Sequence, residues 1–146
     1  MIAERFAPLP DETLQAWASF GTWDDRVYFP KVVGLVVEEL RTDYARMRLP
    51  YKPELNQPAG VVHGGAIATL IDTVVVPAIG TAYPERPRML TISMNVRYLG
   101  ALIEEDGVAE GWVEQRGRSI VFYRAEVVGG TSGRVVADGT LTYKVG

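Results

Sequence analysis

The sequence predicts an α+β fold, an antiparallel sheet with one long buried helix, and three observations carry that expectation. Residues 44–49 (Tyr-Ala-Arg-Met-Arg-Leu) alternate with a period of two, the mark of a strand. Ile67, Leu70, Ile71, Val74 and Ala78 recur at helical spacing over a length too great for an ordinary strand. Four strand-like segments then follow, at about 89–99, 107–116, 119–128 and 134–145, and their short connections imply an antiparallel meander. An apolar share of 47% and a charged share of 23% suit a globular chain with one core. No repeat or low-complexity segment divides it. A single domain over 1–146 is expected, with an N-terminal arm and short helix over 1–31 and the core over 32–145.

Taken in order, Pro8 and Pro10 mark an arm, and Asp11 is placed to cap a short helix to about Phe20, with Leu14, Trp17 and Phe20 on one face. Gly21 ends it. Residues 22–31 read as an aromatic-rich connection. From Val32 the pattern is that of a strand buried on both faces, Val33, Leu35 and Val37 alternating with Val32, Gly34 and Val36. A turn at Arg41-Thr42-Asp43 leads into the second strand, and 52–62, with Pro53, Pro58 and Gly60, is a loop delivering His63. Over 64–81 two signals compete. Val74-Val75-Val76 favours strand and Pro77 disturbs a helix, but the helical spacing is the longer-range signal, so a helix loosened or kinked near Pro77 is expected. Gly117 and Gly129-Gly130 fall between the later strands, as turns should.

Composition excludes several functions. A net charge of −3 gives no electrostatic case for nucleic acid. The absence of cysteine rules out disulfides, thiolate metal sites and a cysteine nucleophile, and suits a reducing compartment. One histidine and no cysteine make no metal site, and no cofactor is expected. The start lacks the basic segment and apolar run of a signal peptide. Asp72 and Pro77 interrupt the longest apolar stretch, so no membrane span is expected. The expectation is a soluble, cytoplasmic protein.

The stretch from Gln57 to Asp72 concentrates the unusual residues: the only histidine, the adjacent Gly64 and Gly65, and an acid among Leu70, Ile71, Val74, Val75 and Val76. Burying a carboxylate there is costly without a partner or a purpose. Desolvation disfavours its charged form and makes Asp72 a better base. Gly64 and Gly65 open the helix, where backbone N–H groups are free and the dipole favours negative charge.

This element order, with His63-Gly64-Gly65 opening the long helix and Asp72 nine residues after the histidine, resembles the hotdog-fold thioesterases. It is nearest to their phenylacetate-degradation (PaaI-like) acyl-CoA thioesterase branch. The resemblance covers roughly Val32 to Val145. Thr91 to Leu99 looks like that family's third strand, and Arg116-Gly117-Arg118-Ser119 like the turn before its fifth. It implies a curled sheet around the helix, homodimers that pair their sheets, and pairing of dimers into a homotetramer. It also implies hydrolysis of an acyl-CoA to free acid and coenzyme A. The same fold serves hydroxyacyl-thioester dehydratases and non-catalytic acyl-CoA sensors, and these are the competing functions.

By the same resemblance, Gly64 is the oxyanion donor, with Gly65 beside the substrate. Asp72 is general base or nucleophile, and His63 supports the thioester or the backbone donor. Gln57, six residues before His63, orients the attacking water, with Asn56 the neighbour one loop shift away. Thr91 stands beside that water. Arg116, Gly117, Arg118 and Ser119 are placed to meet the phosphates of coenzyme A, with Arg97 and Lys144 weaker candidates. The family's geometry further implies a site shared between subunits: Gln57, His63 and Gly64 from one, Asp72 and Thr91 from the other.

Overall fold

The computed structural model describes residues 1–146. After a 3-10 turn at Ala3–Arg5, helix α1 spans Asp11–Ala16. It is shorter than expected, because Pro10 rather than Asp11 is the N-cap and the chain leaves helical geometry at Trp17. The aromatic connection then folds into a small hairpin, β1 (Thr22–Trp23) and β2 (Arg26–Val27). Asp24 and Asp25 at its tip both have positive φ, 52° and 59°. That is the backbone of the tight turn whose twist matches its flanking strands. Helix α2 follows at Phe29–Val33 and ends at Gly34 in the left-handed region, φ 93°. This corrects the expected strand from Val32. Pro30 in the first turn and the glycine stop outweigh an alternating pattern of valines.

Strands β3 (Val36–Arg41) and β4 (Tyr44–Leu49) precede helix α3, Gly64–Gly80, which runs through Pro77 as one element. The last four strands are β5 (Met89–Tyr98), β6 (Gly107–Arg116), β7 (Ile120–Gly129) and β8 (Val135–Val145). They lie within a residue or so of the expected segments. The sheet order is β3-β4-β6-β7-β8-β5, antiparallel throughout. One face packs on α3. Ile67, Leu70, Ile71, Val74, Val75, Ala78 and Ile79 meet Ala45, Met47, Ala109, Tyr123, Ala125 and Leu141 in one core. Close wrapping depends on Gly111 and Gly139, where a Cβ would come within 2.8 Å of Val74 and 2.9 Å of Ile71.

On the face away from α3, the N-terminal arm is held by Phe6 stacked on Tyr44 at 5.2 Å and by the Ile2 N–H donating to Glu110 at 2.9 Å. At the far end of α3, Trp17 sits over Gly80 so closely that a Cβ there would lie 2.2 Å from the indole. At the sheet margin, β5 is an edge strand of ten residues whose Ile92 is 57% and Tyr98 53% exposed. Long apolar edges of this kind are templates for pairing with another chain.

Candidate functional site

The start of α3 is built by the loop before it. The His63 N–H donates to Leu55 O at 2.8 Å, which seats His63 as the N-cap, and its ring Nδ1 accepts from the Gly65 N–H at 2.8 Å. With Nδ1 accepting, the neutral ring carries its proton on Nε2. Ala66 and Ile67 donate to His63 O at 2.9 and 3.4 Å. Of the four N–H groups that open the helix, only that of Gly64 has no acceptor in the chain. The two glycines therefore differ: Gly65 is used by the cap and Gly64 is free. The Tyr98 hydroxyl donates to Gly64 O at 2.7 Å and stations its ring beside this residue.

Two helical turns on, Asp72 is half-buried. Its carboxylate is not left among apolar groups alone. Thr91 Oγ1 donates to Asp72 Oδ1 at 2.8 Å, and the Tyr143 hydroxyl lies 2.8 Å from the same oxygen and 2.6 Å from Asp72 O. Oδ2 accepts nothing from the chain. Tyr123, in edge contact with Tyr143 at 5.9 Å, donates to Ile71 O at 2.5 Å. Burial, reinforced by the negative charge of Asp72, pushes both phenols well above their ordinary range. Sequence reasoning misses both tyrosines as site residues. The available signal is the β8 alternation Leu141, Tyr143, Val145, which turns that phenol inward where its hydroxyl needs a partner.

Thr91 and Asp72 are thus brought together, as are His63 and Gly65, while Gly64 and Asp72 are not. Eight residues at 1.5 Å each separate the last two by about 12 Å along one helix. Gln57 spends its side-chain oxygen on the Ala59 N–H at 2.6 Å, within the loop. Its neighbour Asn56 donates to the Tyr51 hydroxyl at 2.9 Å and keeps Oδ1 buried without a partner. At the β6–β7 turn, Arg116 is engaged internally, donating to Asp43 at 2.5 Å with its guanidinium over the Tyr83 ring at 5.6 Å. Asp43, in its positive-φ turn, is the partner that holds Arg116 in the chain. The Gly117 N–H closes the turn on Ile120 O at 2.7 Å, Ser119 O accepts from Val145 N–H, and Arg118 and Lys144 are exposed. Arg97 pairs with Asp138. No helix is long and apolar enough to cross a membrane.

Residues 59–136 match the family model described as the thioesterase superfamily, a span that holds Gly64, Asp72 and Thr91. The chain belongs to the thioesterase superfamily. Mouse acyl-coenzyme A thioesterase 13 is 28% identical over 88 residues, 60% of this chain and 62% of that protein. The chain thus matches less than two thirds of the length of that curated relative. The conserved protein PA5202 of Pseudomonas aeruginosa superposes with a TM-score of 0.74 at 28% identity, over 80% of this chain and 91% of that one. The E. coli PaaI protein of the phenylacetic acid degradation operon superposes at 0.73 over 80% and 82%, and at 16% identity shows the fold alone. The sheet wrapped on α3 is the hotdog fold. Gln57 and Tyr143 lie outside the matched span.

Proposed function

We propose that this superfamily member hydrolyses an acyl-CoA to free acid and coenzyme A, as a PaaI-like thioesterase whose site is shared between two copies of the chain. The observation that carries the reading is the division of labour along α3: an unpaired Gly64 N–H at its start, and a carboxylate with a free oxygen about 12 Å away. Two copies joined through the exposed β5 edges bring the helix start of one to the acid of the other. The Gly64 N–H and the helix dipole polarise the thioester carbonyl and hold the oxyanion. Asp72 Oδ2 takes a proton from water, whose oxygen adds to the carbonyl as the coenzyme A thiolate departs; or Oδ2 itself adds, the thiolate departs, and water opens the resulting mixed anhydride to the free acid. His63 fixes the helix start through Gly65, and Gln57, its side-chain oxygen held by the Ala59 N–H, orients the attacking water through its amide nitrogen. Arg118 on the β6–β7 turn, which Gly117 and Ser119 tie to Ile120 and Val145, and Lys144 beside it on β8 are the exposed cations for the phosphates, with Arg116 next to them held by Asp43. Such a substrate, with a cysteine-free chain, fits the cytoplasm.

The test is thiol release from a panel of aryl-, short-chain and long-chain acyl-CoAs by wild type and Asp72→Asn. With no cysteine in the chain, every thiol detected comes from substrate. A loss of about 10²- to 10⁴-fold is expected on removing the base. An unchanged rate refutes the mechanism, and tight acyl-CoA binding without thiol release points instead to a sensor. Sedimentation of the same samples reads dimer or tetramer.

A further inference from the structure

We propose that Tyr143 is a positioning residue that assigns the two oxygens of Asp72 to different tasks, holding Oδ1 so that Oδ2 is the oxygen that reacts. This role rests on the hydrolytic reading of the site. It begins with sheet register. Tyr143 on β8 lies directly across from Thr91 on β5 and from Val121 on β7, so the Thr91 and Tyr143 hydroxyls project from one face of neighbouring strands and converge on a single carboxylate oxygen.

The two donors are not equivalent. Thr91 stands on the edge strand and is exposed in the single chain. Tyr143 is only 3% exposed and is packed edge-on against Tyr123, itself tied to α3 through Ile71 O. A rigid ring with a fixed hydroxyl is the stronger constraint on the carboxylate's rotation.

The Tyr143 hydroxyl also has one proton and two acceptors, Asp72 Oδ1 at 2.8 Å and Asp72 O at 2.6 Å. While Asp72 is ionised, its charge makes Oδ1 the stronger acceptor. When Oδ2 gains a proton, Oδ1 weakens and the hydroxyl turns to the backbone oxygen, already in reach. The buried donor is never stranded as the charge on Asp72 comes and goes. The titratable groups facing Asp72 are Tyr143 from β8 and, behind it, Tyr123 from β7. Thr91 from β5 is neutral, and its neighbours on α3 are Ile71 and Thr73.

Tyr143→Phe keeps the ring and deletes the hydroxyl, and Tyr44→Phe is the matched control, an equally buried phenol whose hydroxyl meets Glu110 on the face away from α3. In the intact chain, with rates taken below both melting transitions, Tyr143→Phe is expected to lower kcat by roughly 10- to 100-fold while KM holds. It also moves the acid limb of the kcat profile to higher pH, because the carboxylate has lost a donor. Tyr44→Phe moves neither. Added to Asp72→Asn, Tyr143→Phe costs no further activity. Equal losses in the two phenylalanine variants with no displacement of the acid limb mean a structural tyrosine and overturn the proposal. So does an unchanged kcat in Tyr143→Phe where Asp72→Asn is dead. Activity surviving in Asp72→Asn instead overturns the hydrolytic reading beneath it.

Discussion

Gly64→Pro isolates the oxyanion donor more cleanly than any side-chain deletion. Proline removes the N–H, and at Gly64 that group has no acceptor in the chain, so no internal hydrogen bond is lost with it. Gly64 is the first helical residue, where proline is favoured, and His63 before it sits at φ −58° and ψ 134°, the extended backbone that precedes proline readily. The new ring meets Tyr98, whose atoms lie 3.1–3.3 Å from the position of a Cβ. Tyr98 is largely exposed and moves aside, forfeiting its bond to Gly64 O at a cost of about 1 kcal/mol. Stability therefore changes little. Losing the donor costs about 3 kcal/mol of transition-state stabilisation, or on the order of 10²-fold in kcat. The assay pairs thiol release with thermal unfolding, and Tyr98→Phe measures the Tyr98 contribution alone. A folded Gly64→Pro protein that turns over at the wild-type rate refutes the assignment.

Two further predictions use the whole assembly. Asp72→Asn and Gly64→Pro proteins, each slowed about 10²-fold or more, regain about one quarter of the wild-type rate when mixed in equal amounts under subunit exchange, since mixed dimers form half the population and each holds one intact site. A mixture as inactive as its parts places the site within one chain. Stability is also expected to fall in alkali. Burial pushes the phenols of Tyr44, Tyr123 and Tyr143 above the ordinary value of 10.0. Below pH 10 both folded and unfolded chains keep these protons and stability is complete; above it only the unfolded chain releases them. The loss is about 1.4 kcal/mol per pH unit for each such tyrosine, until the folded phenols also ionise. A urea midpoint that holds level from pH 9 to 11 contradicts this.

The fold was legible wherever pattern and burial coincide. β6, β7 and β8 each turn one face to α3 and the other outward, so their period-two alternation and intervening glycines set their limits. In α3 the helical spacing outweighed both Val74-Val75-Val76 and Pro77, because seven of its residues bury against the sheet and tertiary packing overrides local propensity. At Val32 the same logic misled. Five residues of α2 are too few for a period to declare itself, and the deciding signals, Pro30 and Gly34, are single residues. In the candidate site, what lies within one turn or one helix could be read, as with His63, Gly64 and Asp72. What depends on distant pairing could not. Tyr143 reaches Asp72 across 71 positions, and Asp43 claims Arg116 across 73.

The seat of Trp17 on Gly80 and the hold of Ile2 on Glu110 also order events during synthesis. The arm leaves the ribosome before the sheet, yet its anchors are made 63 and 108 residues later. At about 5–20 residues per second the arm waits roughly 5–20 s for Glu110. A segment made ahead of the whole sheet is therefore fastened in stages, Phe6 with β4, Trp17 with α3 and Ile2 only with β6. From the second stage the indole covers the last turn of α3 at Gly80, the position where only a glycine leaves room for it.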